Sequence, residues 1–152
     1  MLRPSLLLIA CAILLAGCGS QPKPVTKAQY EQKLQLLGAD LVRAGSQIGQ
    51  HLDISSFNED ISNFQDHLKS ASKELKSVKP PADAQGPNEQ LAGAFHDLAD
   101  ALEPVKDARR ESLPKAAKAF GTARLGPAAR QGRAAVRQLR RRGYDVGQMA
   151  SL

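Results

Sequence analysis

The sequence has no tryptophan, two tyrosines and four phenylalanines, so aromatics make up only 4% of its 152 residues. β-Sandwiches and barrels lean on aromatic and β-branched side chains, and this scarcity argues against an all-β fold. Two cysteines are too few for a disulfide framework or a four-thiolate metal site. The apolar run from Leu6 to Leu15 falls well short of the ~20 residues that span a bilayer. There is no Cys-x-x-Cys-His for covalent haem and no His-x-x-x-His pair. What is abundant is Ala, Leu, Lys, Arg, Gln and Glu, the residues that favour helix. Hydrophobic content of 42% and charged content of 24% are those of an ordinary globular chain, and the length suits one domain.

Arg3 precedes the apolar run, and the small residues Ala16 and Gly17 close it. This is the layout of a secretion signal, which is set apart from fold reasoning. Leu15-Ala16-Gly17-Cys18 resembles the lipobox of bacterial lipoproteins at all four positions. That resemblance implies removal of residues 1–17, a diacylglyceryl thioether on Cys18, and acylation of the new amino group. The thiol is the nucleophile that accepts lipid, and small residues before it admit an extended backbone to the peptidase. Two or more acyl chains exceed the single chain that gives only marginal membrane binding. The expected mature protein is residues 18–152, on the extracytoplasmic face of the cell membrane. Cys11 leaves with the signal and Cys18 is blocked, so disulfides and thiol catalysis drop out. Residues 1–17 are expected as an outlying helix in any structure of the whole chain.

Residues 18–25 form the lipidated cysteine and a tether that Pro22 and Pro24 stiffen. An extended polyproline form at ~3.1 Å per residue reaches ~20 Å from the membrane. Residues 26–146 read as an all-α, up-down helical bundle of about four helices, with the fourth broken near Gly126-Pro127. Residues 147–152 are expected to fray. The first helix opens with a capping box, Thr26 and Gln29, and carries Tyr30, Leu34, Leu37, Leu41, Ala44, Ile48 and Leu52 at helical spacing. Gly38, Gly45 and Gly49 in it suit close packing against a neighbour. The second helix is expected from Ser56, capped with Glu59. Its stripe Phe57, Ile61, Phe64, Leu68, Ala71, Leu75 and Val78 alternates steps of four and three. Asp60, Asp66, Lys69, Lys73, Glu74 and Lys76 are placed on its wet face. Pro80-Pro81 stop it. A third helix starts near Pro87 or Asn88, carries Leu91, Phe95, Leu98, Leu102 and Val105, and kinks or ends soon after Pro104. Ser112 and Pro114 open a fourth, with Ala117, Phe120 and Leu125 inward. Gly143 is a candidate C-cap, with Tyr144 and Val146 folding back on the bundle.

Three groups of residues carry chemistry. His51, His67 and His96 have no carboxylate three positions before them, as a helical metal site wants. If Val78 opposes Leu91, His67 lies near Glu103, about two turns from His96. No metal and no cofactor is expected, and Met149 is a poor axial ligand. Asp97, Asp100, Glu103 and Asp107 line one side of the third helix without a nucleophile or oxyanion hole beside them. The strong asymmetry is basic. From Phe120 onward there are seven arginines, no lysine and one acid, Asp145, whereas residues 18–119 hold thirteen cations and fourteen acids. Arg130, Arg133, Arg137, Arg140 and Arg141 share one face of a 100° wheel. Such a face suits bidentate phosphate or carboxylate contact or pairing with the acidic side of the third helix. Anionic lipid, an anionic envelope polymer and a protein are the partners it fits. Nucleic acid is not expected, since stacking aromatics are missing.

The run Lys79-Pro80-Pro81-Ala82-Asp83 before Asn88-Glu89-Gln90-Leu91 resembles the double-proline hairpin of small helical lipoproteins of actinobacteria with no assigned activity. The closing Arg142-Gly143-Tyr144-Asp145-Val146 is similar to theirs. The resemblance implies a helical bundle and supplies no catalytic residue. The sequence reads as an anchored binding or scaffold module without enzymatic activity. Two rivals are a carrier holding an apolar ligand among Phe57, Phe64, Phe95 and Phe120, and an enzyme built around Asp100.

Overall fold

The computed structural model describes residues 23–48, 50, 54–109, 112, 114–115, 118–119 and 125–151. The expected signal, the lipobox with Cys18, His51, Leu52, Ala117, Phe120 and Arg124 lie outside the described residues. The helices are α1 (Lys27–Gln47), α2 (Ile54–Ser77), α3 (Gln85–Ala101), a short α4 (Glu103–Arg109) and α5 (Leu125–Arg141). Ala82–Ala84 and Gly147–Ser151 form 3-10 turns. The four long helices pack against one another, with no strand among the described residues.

α1 begins as its sequence dictates. The Thr26 hydroxyl accepts from the Gln29 N–H, and the Gln29 side chain accepts from the Thr26 N–H. Tyr30, Leu34, Leu37, Leu41 and Ala44 are buried in a single stripe. α2 starts at Ile54, so Ser56 lies inside its first turn and not at the expected helix start. Asp60 is buried, not on the wet face. It stands three residues after Phe57 and four before Phe64, at the inner edge of the apolar stripe.

Pro80 and Pro81 have no N–H to offer the carbonyls four residues earlier, and α2 ends at Ser77. Its last carbonyls therefore need outside donors. Asn88 supplies one, donating from Nδ2 to the Leu75 carbonyl at 2.8 Å, while its Oδ1 accepts from the Tyr30 hydroxyl at 2.9 Å. Val25, the last residue of the expected tether, donates its N–H to the Lys79 carbonyl at 2.9 Å. α3 starts at Gln85, ahead of the expected Pro87 or Asn88. Pro87 is its third residue, where a missing N–H costs nothing. α3 ends at Ala101, and Leu102 separates it from α4, in which Pro104 is the second residue. Gly126 and Pro127 are the second and third residues of α5, which runs in one piece from there to Arg141.

α2 and α3 run antiparallel. Ser72 donates to the Ala92 carbonyl at 2.8 Å, and buried Gln65 donates to the Ala99 carbonyl at 2.8 Å and the Glu103 carboxylate at 2.6 Å. The register differs from the one expected from the loop. Gln65, not His67, meets Glu103, and His67 and His96 stand at the same height of the hairpin instead of about two turns apart. The loop is shorter than periodicity suggested, because α3 begins early.

The C-terminus is a finding in itself. Gly143 takes φ 76, donates to the Arg140 carbonyl, and is followed by Tyr144 donating to the Leu139 carbonyl. This is a Schellman cap, which favours glycine for its left-handed backbone. Tyr144 then turns inward, meeting the Tyr30 ring edge-on at 5.7 Å and 87° and donating to the Asp83 carboxylate at 2.6 Å. In place of a frayed tail, Gly147–Ser151 lies against α1 and Met149 is 1% exposed. Gly38 makes room for it, since a Cβ there would sit 2.7 Å from the Met149 nitrogen and 2.8 Å from its Cγ.

Alanine usually stabilises a helix interior over glycine by about 1 kcal/mol. Gly38→Ala is expected to do the opposite here, costing about 1–3 kcal/mol by overpacking, measured by urea unfolding. A gain in stability would show that the C-terminal turn does not lie on α1.

Both tyrosines are held protonated. Burial, then the Tyr144 ring, pushes Tyr30 far above an ordinary phenol. Tyr144 is pushed up to about 12, by burial first and then by its bond to Asp83. The folded state therefore keeps protons that the unfolded chain releases near pH 10. Their contribution to stability is complete below pH ~10 and is lost as pH rises toward 12. Absorbance at 295 nm is expected to show no tyrosinate until the protein unfolds in alkali. Ionisation of either tyrosine near pH 10 in the folded state would contradict this packing.

Candidate functional site

Spacing on α5 separates two faces. Ala128, Gly132, Ala135, Val136 and Leu139 are buried, and Arg130, Arg133, Arg137, Arg140 and Arg141 are all exposed on the opposite side. The seam with α3 is filled by small and amide side chains. Gln138 donates to the Gln90 side chain at 3.0 Å, Gln131 donates to the Gln90 carbonyl at 3.4 Å, and Gly132 and Ala94 face each other closely. The arginines project away from that seam. None of the five makes an ion pair with a described residue, so the expected pairing with the acidic side of the third helix is not made.

Arg140 and Arg141 end α5 at the place where the chain enters the bundle. Arg142 donates to the Asp83 carbonyl, and Lys27 lies 5.1 Å over the Tyr144 ring. With the Val25–Lys79 bond, these contacts join residues 23–27, 76–84 and 140–144 into one end of the bundle. Those segments hold seven cations, namely Lys23, Lys27, Lys76, Lys79, Arg140, Arg141 and Arg142, and a single acid, Asp83. Asp83 is engaged by Tyr144. Of the next acids inward, Glu89 is exposed beside Lys76 and Lys79, and three others are bonded inside the protein. Glu31 accepts from the Asp145 N–H, Asp145 accepts from Gln35, and Glu74 pairs with Lys33 at 2.9 Å. A solvent-open cleft of about 520 Å³ lies between the end of α2 and the start of α3, with Lys76 and Lys79 on its wall.

The opposite end carries charges of both signs over an apolar interior, with Lys106 and Arg109 on α4 and Lys115 and Lys118 beyond it. Asp97 and Asp100 on α3 and Glu103 and Asp107 on α4 are exposed, and His96 approaches Asp100 at 3.5 Å. His67 is exposed beside Asn63, Asp66 and Ser70. Among the described residues no group of three or more His, Cys, Asp and Glu is placed to hold a metal ion. Beneath this end, Leu41, Phe64, Leu68, Phe95, Leu98 and Leu102 line a cavity of about 260 Å³. Phe64 and Phe95 of the expected aromatic lining are there, Phe57 is not, and Phe120 lies outside the described residues. No described helix is long and apolar enough to cross a membrane.

The arginine face was readable from the wheel alone. The gathering of lysines from 23–27 and 76–79 beside Arg140 and Arg141 was not, because it depends on which helix ends meet. No protein-family model, no curated relative and no solved structure matches this chain.

Proposed function

We propose that this chain is a lipid-anchored binding or scaffold module of the bacterial envelope. Cys18 carries the anchor on the extracytoplasmic face, and the bundle presents an arginine surface to an anionic partner. The observation that supports this most is the arginine face of α5. Five exposed guanidiniums on one helix, in no ion pair with a described carboxylate, are unnecessary for packing and repel one another. Such a surface is retained for something it contacts. Anionic lipid, an envelope polymer and an acidic protein all suit it. The reading assigns no bond-making chemistry to the bundle.

Cys18→Ser in the full chain is expected to abolish palmitate incorporation in a bacterial host and move the protein out of the membrane fraction. Incorporation unchanged by the substitution would remove the anchor from the proposal.

A second reading rests on the apolar cavity. A preformed apolar space of this size holds a small hydrocarbon, since one of ~150 Å³ admits benzene. As a carrier, the protein would bring a naphthyl fluorophore out of water, and Ala129→Phe, which narrows the cavity wall, would suppress the fluorescence gain. A folded protein that leaves the fluorophore dark would rule out the carrier.

A further inference from the structure

We infer that the basic end of the bundle, where the tether enters, is a docking surface for anionic phospholipid headgroups and stands the bundle upright on the membrane. The inference rests on the anchoring reading and names the partner of that module. It moves the contact from the whole side of α5 to one end, where Arg140 and Arg141 meet Lys23, Lys76 and Lys79.

Three observations carry it. The first is the charge balance. Seven cations and one acid converge on one end, while toward the other Asp97, Asp100, Glu103 and Asp107 are interleaved with Lys106, Arg109, Lys115 and Lys118. The bundle is thus polarised along its long axis, and its positive pole is the end at which the chain arrives from Cys18. The second is availability. Lys23, Lys76, Arg140 and Arg141 are exposed, Lys79 is half-buried, and none of the five is in an ion pair with a described residue. Of the nearby acids, Asp83, Glu74, Asp145 and Glu31 are bonded to Tyr144, Lys33, Gln35 and the Asp145 N–H, and Glu89, beside Lys76 and Lys79, is the exposed acid of this end.

The third observation concerns helix ends. Lys76 ends α2 and Arg140 and Arg141 end α5, positions where cations complement the negative pole of a helix. If dipole compensation were the whole reason, the N-termini of α1 and α3 at the same end would carry acids. Neither has an acidic residue in its first turn. All four helix ends therefore add positive or uncompensated potential to one surface. The favourable counterion is outside the protein.

An anionic bilayer fits that surface because it is flat, covered in phosphate, and held within the tether's reach. Attraction falls off within a Debye length of ~8 Å at physiological salt, so only the end that faces the headgroups contributes. Side-on contact would instead engage Arg130 and Arg133, toward the cavity-bearing end.

The experiment uses residues 19–152, which contain the whole core from Tyr30 to Met149, with helical content checked by circular dichroism. Partition is measured by flotation with phosphatidylcholine vesicles with and without phosphatidylglycerol. Two variants remove equal charge, one combining Lys76→Gln, Lys79→Gln and Arg141→Gln, the other Arg130→Gln, Arg133→Gln and Arg137→Gln. Salt-sensitive binding to phosphatidylglycerol vesicles is expected. The end variant should weaken it about 100-fold and the side variant only a few-fold. Equal losses in the two variants, or a larger loss in the side variant, would lay the bundle on its side and overturn the inference. Equal binding to neutral vesicles, or no binding, would overturn it as well. Either result leaves the anchor itself standing or falling on the labelling of Cys18.

Discussion

Everything at the basic end hangs on one buried amide. Asn88 is 4% exposed and joins three helices, accepting from Tyr30 of α1 and donating to the end of α2 from the first turn of α3. Each of those groups would cost about 1–3 kcal/mol if left buried and unpaired. The pairing therefore fixes the axial positions of the three helices to a fraction of a turn. Tyr144 closes against Tyr30 and reaches Asp83, which fastens the end of α5 to the same node. The leucine stripes drive collapse, but apolar contacts tolerate sliding. The polar node sets which helix ends coincide, and so which charges meet.

Sequence periodicity gave the helices well because it depends on local spacing. The stripe Ile61, Leu68, Ala71 and Leu75 is buried as its steps of four and three require. The capping box at Thr26 and the glycine stop at Gly143 are equally local, and both are present. What the sequence hid was relational. Gln65 and Ser72 look like ordinary polar positions beside a stripe, yet both are buried and set the register of α2 on α3. Met149 looked like tail because nothing within six residues demands order. Its partner is Gly38, more than a hundred residues away, and a glycine in a helix reads only as a weakness until something fills the space above it.

The candidate surface divides along the same line. The five arginines on α5 follow from a wheel. The lysines that join two of them do not, since Lys23, Lys76 and Lys79 come from segments that only the folded Val25–Lys79 and Tyr144–Asp83 contacts bring beside α5. The folded protein also decides which acids remain available. Glu31, Glu74, Asp83 and Asp145 offset part of the formal charge of that region, and all four are bonded to internal partners.

In the proposed arrangement the covalent anchor and the basic end divide the work. Two acyl chains hold the protein to the bilayer by apolar transfer, and nothing in that term orients the bundle. Orientation falls to electrostatics, which needs little strength once the domain is tethered. A short tether holds its load at an effective concentration of about millimolar, so a contact too weak to bind free protein tightly still governs how the tethered domain stands. A cationic end confined to exposed, long side chains meets that need without burying charge, because lysine and arginine stems reach headgroups while the core stays dry. Upright docking then turns the cavity-bearing end outward, away from the membrane, where any further partner of the bundle would meet it first.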